Sequence, residues 1–112
     1  MYKLIKPDMI YHFFDHDTEL IYEIIELVLE ISIQDLKNLE HHYENKEFFI
    51  IKKKFHKSKP MLSYLGAITV KNNIENIEKN IEKKFPYYYN TLLHQLDSLE
   101  KELKIFLEKI NQ

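Results

Sequence analysis

The sequence predicts an all-α fold, an antiparallel up-down-up-down four-helix bundle led by a short N-terminal helix. Three observations carry this expectation. The 112 residues include one glycine and three prolines, whereas sandwiches, barrels and Rossmann units spend glycines on positive-φ turns. Four long stretches repeat apolar residues at steps of three and four. The gaps between them are only a few residues, which favours antiparallel neighbours. The length suits one domain over 1–112, able to bury about two-thirds of the surface its unfolded chain exposes. There is no cysteine, so a disulfide framework, a thiolate metal site and a cysteine nucleophile are excluded.

The short leading helix is expected from about 7 to 14, with Met9, Phe13 and Phe14 covering one end of the bundle. The first bundle helix is expected over about 17–42. Leu20, Ile21, Ile24, Ile25, Val28, Leu29, Leu36 and Leu39 mark its apolar face, and Asp15 or Asp17 is available to cap its start. The second is expected over about 46–65, with Phe48, Ile51, Phe55, Ser58, Leu62 and Leu65 on one stripe and Gly66 ending it. The third is expected over about 67–83, carried by Val70, Ile74, Ile77 and Ile81, with Phe85-Pro86 as the break. The fourth is expected over about 87–110, with Pro86 at its first turn, where a missing N–H costs little. Leu92, Leu96, Leu99, Leu103, Phe106 and Ile110 form its 4-3-4-3-4 seam.

Sixteen lysines, no arginine and 18 acidic residues give a formal net charge of -2. A nucleic-acid binder would show a basic excess, and bidentate arginine forks are absent. No stretch approaches the roughly 20 apolar residues of a membrane span, and the N-terminus lacks a signal-peptide pattern. A cytoplasmic, monomeric, free-standing protein is the expectation, an excised domain of a larger kinase being the alternative. The charge is unevenly placed: Lys46, Lys52, Lys53, Lys54, Lys57 and Lys59 fall in one segment with a single acid, Glu47. Taken alone, such a cluster reads as a solvated helix face.

Five of the six histidines have simple structural readings. His12 and His16 are four apart but lack a third metal ligand. His41 and His42 fall at a helix end, which suits an imidazole, and His94 flanks an apolar seam. No metal site is expected. His56 differs, because it points about 130° away from the mean direction of its helix's apolar stripe. Phe49, Lys52, Lys53, Lys59, Pro60 and Ser63 share that exposed side. A neutral imidazole carries the lone pair a nucleophile needs, and lysine ammonium groups one turn away suit a phosphoryl group.

The stretch His56-Lys57-Ser58-Lys59-Pro60-Met61-Leu62-Ser63-Tyr64-Leu65-Gly66-Ala67 resembles the signature of histidine-containing phosphotransfer (HPt) domains. His56, Lys59, Leu65, Gly66 and Ala67 match at the family's offsets. The helix order matches over essentially the whole chain. The resemblance implies a phosphocarrier in a two-component phosphorelay and not a self-sufficient enzyme. His56 would accept and donate the phosphoryl group, and Lys59 would pair with its oxygens. The partners implied are response-regulator receiver domains and a hybrid sensor kinase. The chain would bring no cofactor of its own, since the receiver supplies Mg²⁺. Phe49, Lys52, Lys53, Pro60 and Ser63 would line the docking surface, and Gly66 would be structural. Phe49 has a second reading, contact with the short N-terminal helix.

Some family members set a carboxylate or amide 22 positions on against the other imidazole nitrogen, which is Glu78 here. Such a group would fix the ring's tautomer. Glu75, one turn away, is the fallback, and a solvated charge on the polar face is the simpler reading of Glu78. The chain departs from the family at Pro60, where glycine is usual. Pro60 removes the helical donor of the His56 carbonyl and is expected to kink the helix without breaking it. The reading from another class is a helical module that binds a receiver or kinase without carrying phosphate. A small enzyme or metalloprotein is weak, since there is no glycine-rich phosphate loop or Cys/His cluster.

Overall fold

The structure, a computed structural model, describes residues 1–110, and every element among them is helical. The helices are α1 (Pro7–Phe13), α2 (Thr18–Leu27), α3 (Ile33–Lys37), α4 (Glu40–Glu44), α5 (Phe48–Tyr64), α6 (Ile68–Glu78) and α7 (Ile81–Ile110). A π-helical turn, Val28–Ser32, joins α2 to α3. At about 1.5 Å per residue, the 30 residues of α7 run the full 45 Å of the molecule's long axis. It packs on α2, α3, α5 and α6, while α5 also meets α1, α3, α4 and α6.

The expected helix over 17–42 is not continuous. Asp17 caps its start, its Oδ1 accepting from the Leu20 amide at 3.1 Å. The buried positions Ile21, Ile25, Val28, Ile33 and Leu36 then step by four, three, five and three. The step of five is the π turn, closed by the Ile33 amide on the Val28 carbonyl. It rotates the following turn, so Ile33 is buried although it lies off the stripe predicted for a regular helix. Leu20, assigned to the apolar face, is 40% exposed.

The helical run then stops at Lys37. The buried Tyr89 hydroxyl of α7 accepts from the Leu39 amide at 3.1 Å and donates to the Leu36 carbonyl at 2.7 Å. One side chain thus satisfies a backbone donor and acceptor that the break frees. Leu39 is fully buried there, and α4 restarts at Glu40.

The boundary expected at Phe85-Pro86 lies instead at Lys79-Asn80. The Asn80 side chain accepts from the Lys83 amide at 3.2 Å and its carbonyl from the Lys84 amide at 2.8 Å, which caps α7. Pro86 is therefore inside α7, where it deprives the Glu82 carbonyl of its donor. The Tyr43 hydroxyl of α4 donates to that carbonyl. Tyr43 is held in place by stacking on Phe85, whose ring in turn stacks on Tyr89. The seam of Leu92, Leu96, Leu99, Leu103 and Phe106 is buried as expected, and Ile110 is half-buried.

The N-terminal segment lies along the other end of α7. The Glu102 carboxylate accepts from the amides of Lys3, Leu4 and Ile5 at 2.9–3.2 Å. The Lys6 amide then donates to the Leu65 carbonyl at 2.9 Å, tying this segment to the end of α5.

Candidate functional site

His56 sits in the middle of α5. Ile51, Phe55, Ser58 and Leu62 turn into the core, which fixes the rotation of the helix and leaves the intervening side to solvent. His56, Lys52, Lys53 and Pro60 are exposed on that side, and Lys59 and Ser63 are half-buried along its edge. Ser58, the polar member of the inner stripe, satisfies its hydroxyl on the Phe55 carbonyl at 2.8 Å.

Pro60 does not interrupt α5, which is helical from Phe48 to Tyr64. The His56 carbonyl that loses its helical donor belongs to an exposed residue, within reach of water. This is a different solution from Pro86, whose orphaned carbonyl receives a tyrosine hydroxyl.

α5 ends in a left-handed turn at Gly66, φ +72. The Ala67 amide donates to the Leu62 carbonyl at 2.9 Å and the Gly66 amide to that of Ser63 at 3.0 Å. These are the two bonds of a Schellman cap. The tight reversal brings α6 back along α5, so that residues of α6 face the His56 side.

A shallow open depression of about 320 Å³ lies between the two helices. It is lined by His56, Lys59, Pro60 and Ser63 of α5 and by Lys71 and Glu75 of α6. Four of the six were singled out from the sequence as sharing a face. Lys71 was not. Lys71, Glu75 and Glu78 are spaced by four and three, so they form one ridge of α6, and this spacing was the signal available for Lys71.

Glu78 does not meet the imidazole. Its carboxylate pairs with Lys59, Nζ to Oε1 at 2.7 Å. No hydrogen bond to the His56 ring is formed among the described residues. Glu75, the alternative one turn earlier, is exposed and lines the depression beside His56.

Phe49 is 75% exposed, two turns before His56. It does not touch α1. That helix lies at the opposite end of α5, where Phe13 and Phe14 pack on Tyr64 at centroid distances of 5.0 and 5.9 Å. Fifteen residues separate Phe49 from Tyr64, about 22 Å along a helix.

Lys54 leans to Asp35 of α3 at 3.7 Å. The lysine run of α5 is thus divided: Lys54 and Lys59 are drawn to neighbouring helices, and Lys52 and Lys53 stand in solvent. No group of residues with metal-ligand geometry occurs among the described residues, and no helix there is long and apolar enough to cross a membrane. No family model, curated protein or solved structure matches the chain.

Proposed function

We propose that this chain is a histidine phosphotransfer protein of a two-component phosphorelay, with His56 as phosphoryl acceptor and donor. The observation that carries the reading is the setting of His56. It is an exposed imidazole halfway along a well-anchored helix, with Lys59 and Lys71 lining the same open depression. An exposed imidazole on a rigid helix suits attack on a phosphorus atom presented by a second protein. Positive charge beside it offsets the charge gathered on the phosphoryl oxygens. In this reading the helices form one antiparallel up-down-up-down bundle: α2 with its π turn and α3, then α5, then α6, then α7, with α1 leading.

In this reading Mg²⁺ and the remaining catalytic groups come from the receiver. Phe49, Lys52, Lys53, Pro60 and Ser63 lie on the side a receiver would cover. Phe49 offers an apolar contact, and the two exposed lysines suit the acidic rim around a phospho-accepting aspartate. A transient complex of this kind is compatible with a monomeric, cytoplasmic carrier.

The test is transfer in vitro from a receiver domain phosphorylated on its aspartate. The expected result is an acid-labile, base-stable label on the chain that is lost in His56→Gln. A label that never forms, or that survives this substitution, overturns the carrier role. Receiver binding without label would instead identify a helical interaction module.

A further inference from the structure

The Lys59–Glu78 pair has a consequence for the proposed chemistry. Lys59 stands one turn after His56 on the same side of α5. Its Nζ is nonetheless 2.7 Å from a carboxylate of the neighbouring helix. Both side chains are largely withdrawn from water, at 22% and 12% exposure, so the pair is less screened than one on an open surface. Lys59 lines the depression beside His56 and Glu78 does not. The ammonium group thus stands at the edge of the site with its charge already balanced.

We infer that Glu78 is a positioning residue that holds Lys59 in reserve, and that Lys59 passes from Glu78 to the phosphoryl oxygens when His56 is phosphorylated. The inference rests on the carrier reading and adds a regulatory contact to it. A phosphoryl group brings up to about two negative charges and three acceptor oxygens. It competes for Lys59 with a single carboxylate. Glu78 opposes loading by keeping the cation away, and favours release of the phosphoryl group by taking the cation back.

Phosphoramidate gives a test that needs no partner protein. The imidazole lone pair forms the N–P bond while the P–N bond of phosphoramidate breaks, its protonated nitrogen leaving as ammonia. The ring becomes a phosphorylated imidazolium until its remaining N–H proton passes to water. Formation and decay of phosphorylated His56 are followed by NMR in the wild type and in Glu78→Gln, Glu78→Asp, Lys59→Ala and the double variant Lys59→Ala/Glu78→Gln.

Glu78→Gln is expected to load about three- to fivefold faster and to lose the group more slowly. Glu78→Asp, which retains the charge, should stay within about twofold of wild type. The double variant should show no gain over Lys59→Ala. Equal rates in wild type and Glu78→Gln, or a gain that persists without Lys59, overturn the exchange while leaving the carrier role standing. Failure of every variant to load His56 removes the carrier role and the exchange with it. An unchanged amide spectrum in Glu78→Gln confirms that the fold is held constant.

Discussion

Gly66 is the one glycine of the chain, yet it is not the one left-handed residue. Asp15, His16 and Lys46 also have positive φ, at 53, 58 and 58. Scarcity of glycine therefore does not mean scarcity of tight turns. Asp15 and His16 connect α1 to α2, and Lys46 closes α4, with side chains in a region that costs L-residues about 1–2 kcal/mol each. Position 66 differs in its surroundings. A Cβ there would come within 2.7 Å of Lys6 Cβ and 3.2 Å of the Lys6 amide nitrogen. That amide donates to Leu65, so the N-terminal segment cannot back away without losing the bond. Gly66→Ala should destabilise the fold by about 2–3 kcal/mol, combining the left-handed penalty with overpacking. Chemical denaturation measures the loss, and faster hydrogen exchange at the Lys6 amide would locate it. Equal stability would show that the turn relaxes freely. The glycine that matches the phosphotransfer signature thus has a structural reason of its own, and the specific weight of the resemblance falls on His56 and Lys59.

At the scale of elements, what was legible in the sequence was whatever followed an unbroken 3.6 period. α5 and the seam of α7 lie where their apolar residues put them, and the exposed face of α5 followed from the same arithmetic. The interruption after Lys37 and the continuity through Pro86 were not legible, because each depends on a side chain remote in sequence. The end of α3 is stabilised by Tyr89, 50 residues beyond Leu39. Helical continuity through Pro86 is stabilised by Tyr43, 39 residues before Glu82. The π turn shifts the register by one residue, which no periodic template contains. At the site, the pairing of Lys59 with Glu78 required knowing how α6 lies against α5. The Tyr89 contact yields a direct prediction. Tyr89→Phe leaves the buried Leu39 amide and the Leu36 carbonyl without partners while preserving the stacked ring. The expected cost is about 1–3 kcal/mol, the range for orphaned buried groups. The Leu39 amide resonance should shift and exchange faster. A loss confined to a few tenths of a kcal/mol would mean that α3 and α4 rejoin into one helix, the arrangement predicted from the sequence.

At the scale of the whole molecule, charge ties the end of α3 to α7, as it also ties α5 to α3 and α6. Lys37 at the end of α3 reaches α7, with Nζ 2.7 Å from Asp97 and 3.4 Å from Glu100. The hydrogen bond to Asp97 holds the Lys37 ammonium above its usual range, against the opposing effect of burial. The same hydrogen bond holds the Asp97 carboxyl below its usual range. For Glu100, burial works in the opposite direction, but Lys37 and the Gln34 amide outweigh it and its carboxyl is lowered too. Carboxyls lowered in the folded state contribute stability above their unfolded values, 3.8 and 4.5, and lose it as pH falls through the folded ones. An ammonium raised in the folded state contributes below 10.5 and loses that contribution as pH rises through the folded value. Tyr89, raised chiefly by burial, adds to the alkaline side, since a neutral phenol is favoured inside. Stability should therefore be greatest across neutral pH and decline on both sides. Lys37→Met should lower the plateau and flatten both limbs, because one side chain is the partner in each. Asp97→Asn should flatten the acid limb and part of the alkaline limb, since it removes the largest cause of the Lys37 shift and leaves only Glu100 beside the ammonium. Melting temperatures measured from pH 3 to 11 on the three proteins decide the matter. Parallel curves, displaced but unchanged in shape, would show that the Lys37 contacts add packing and no linkage to protons.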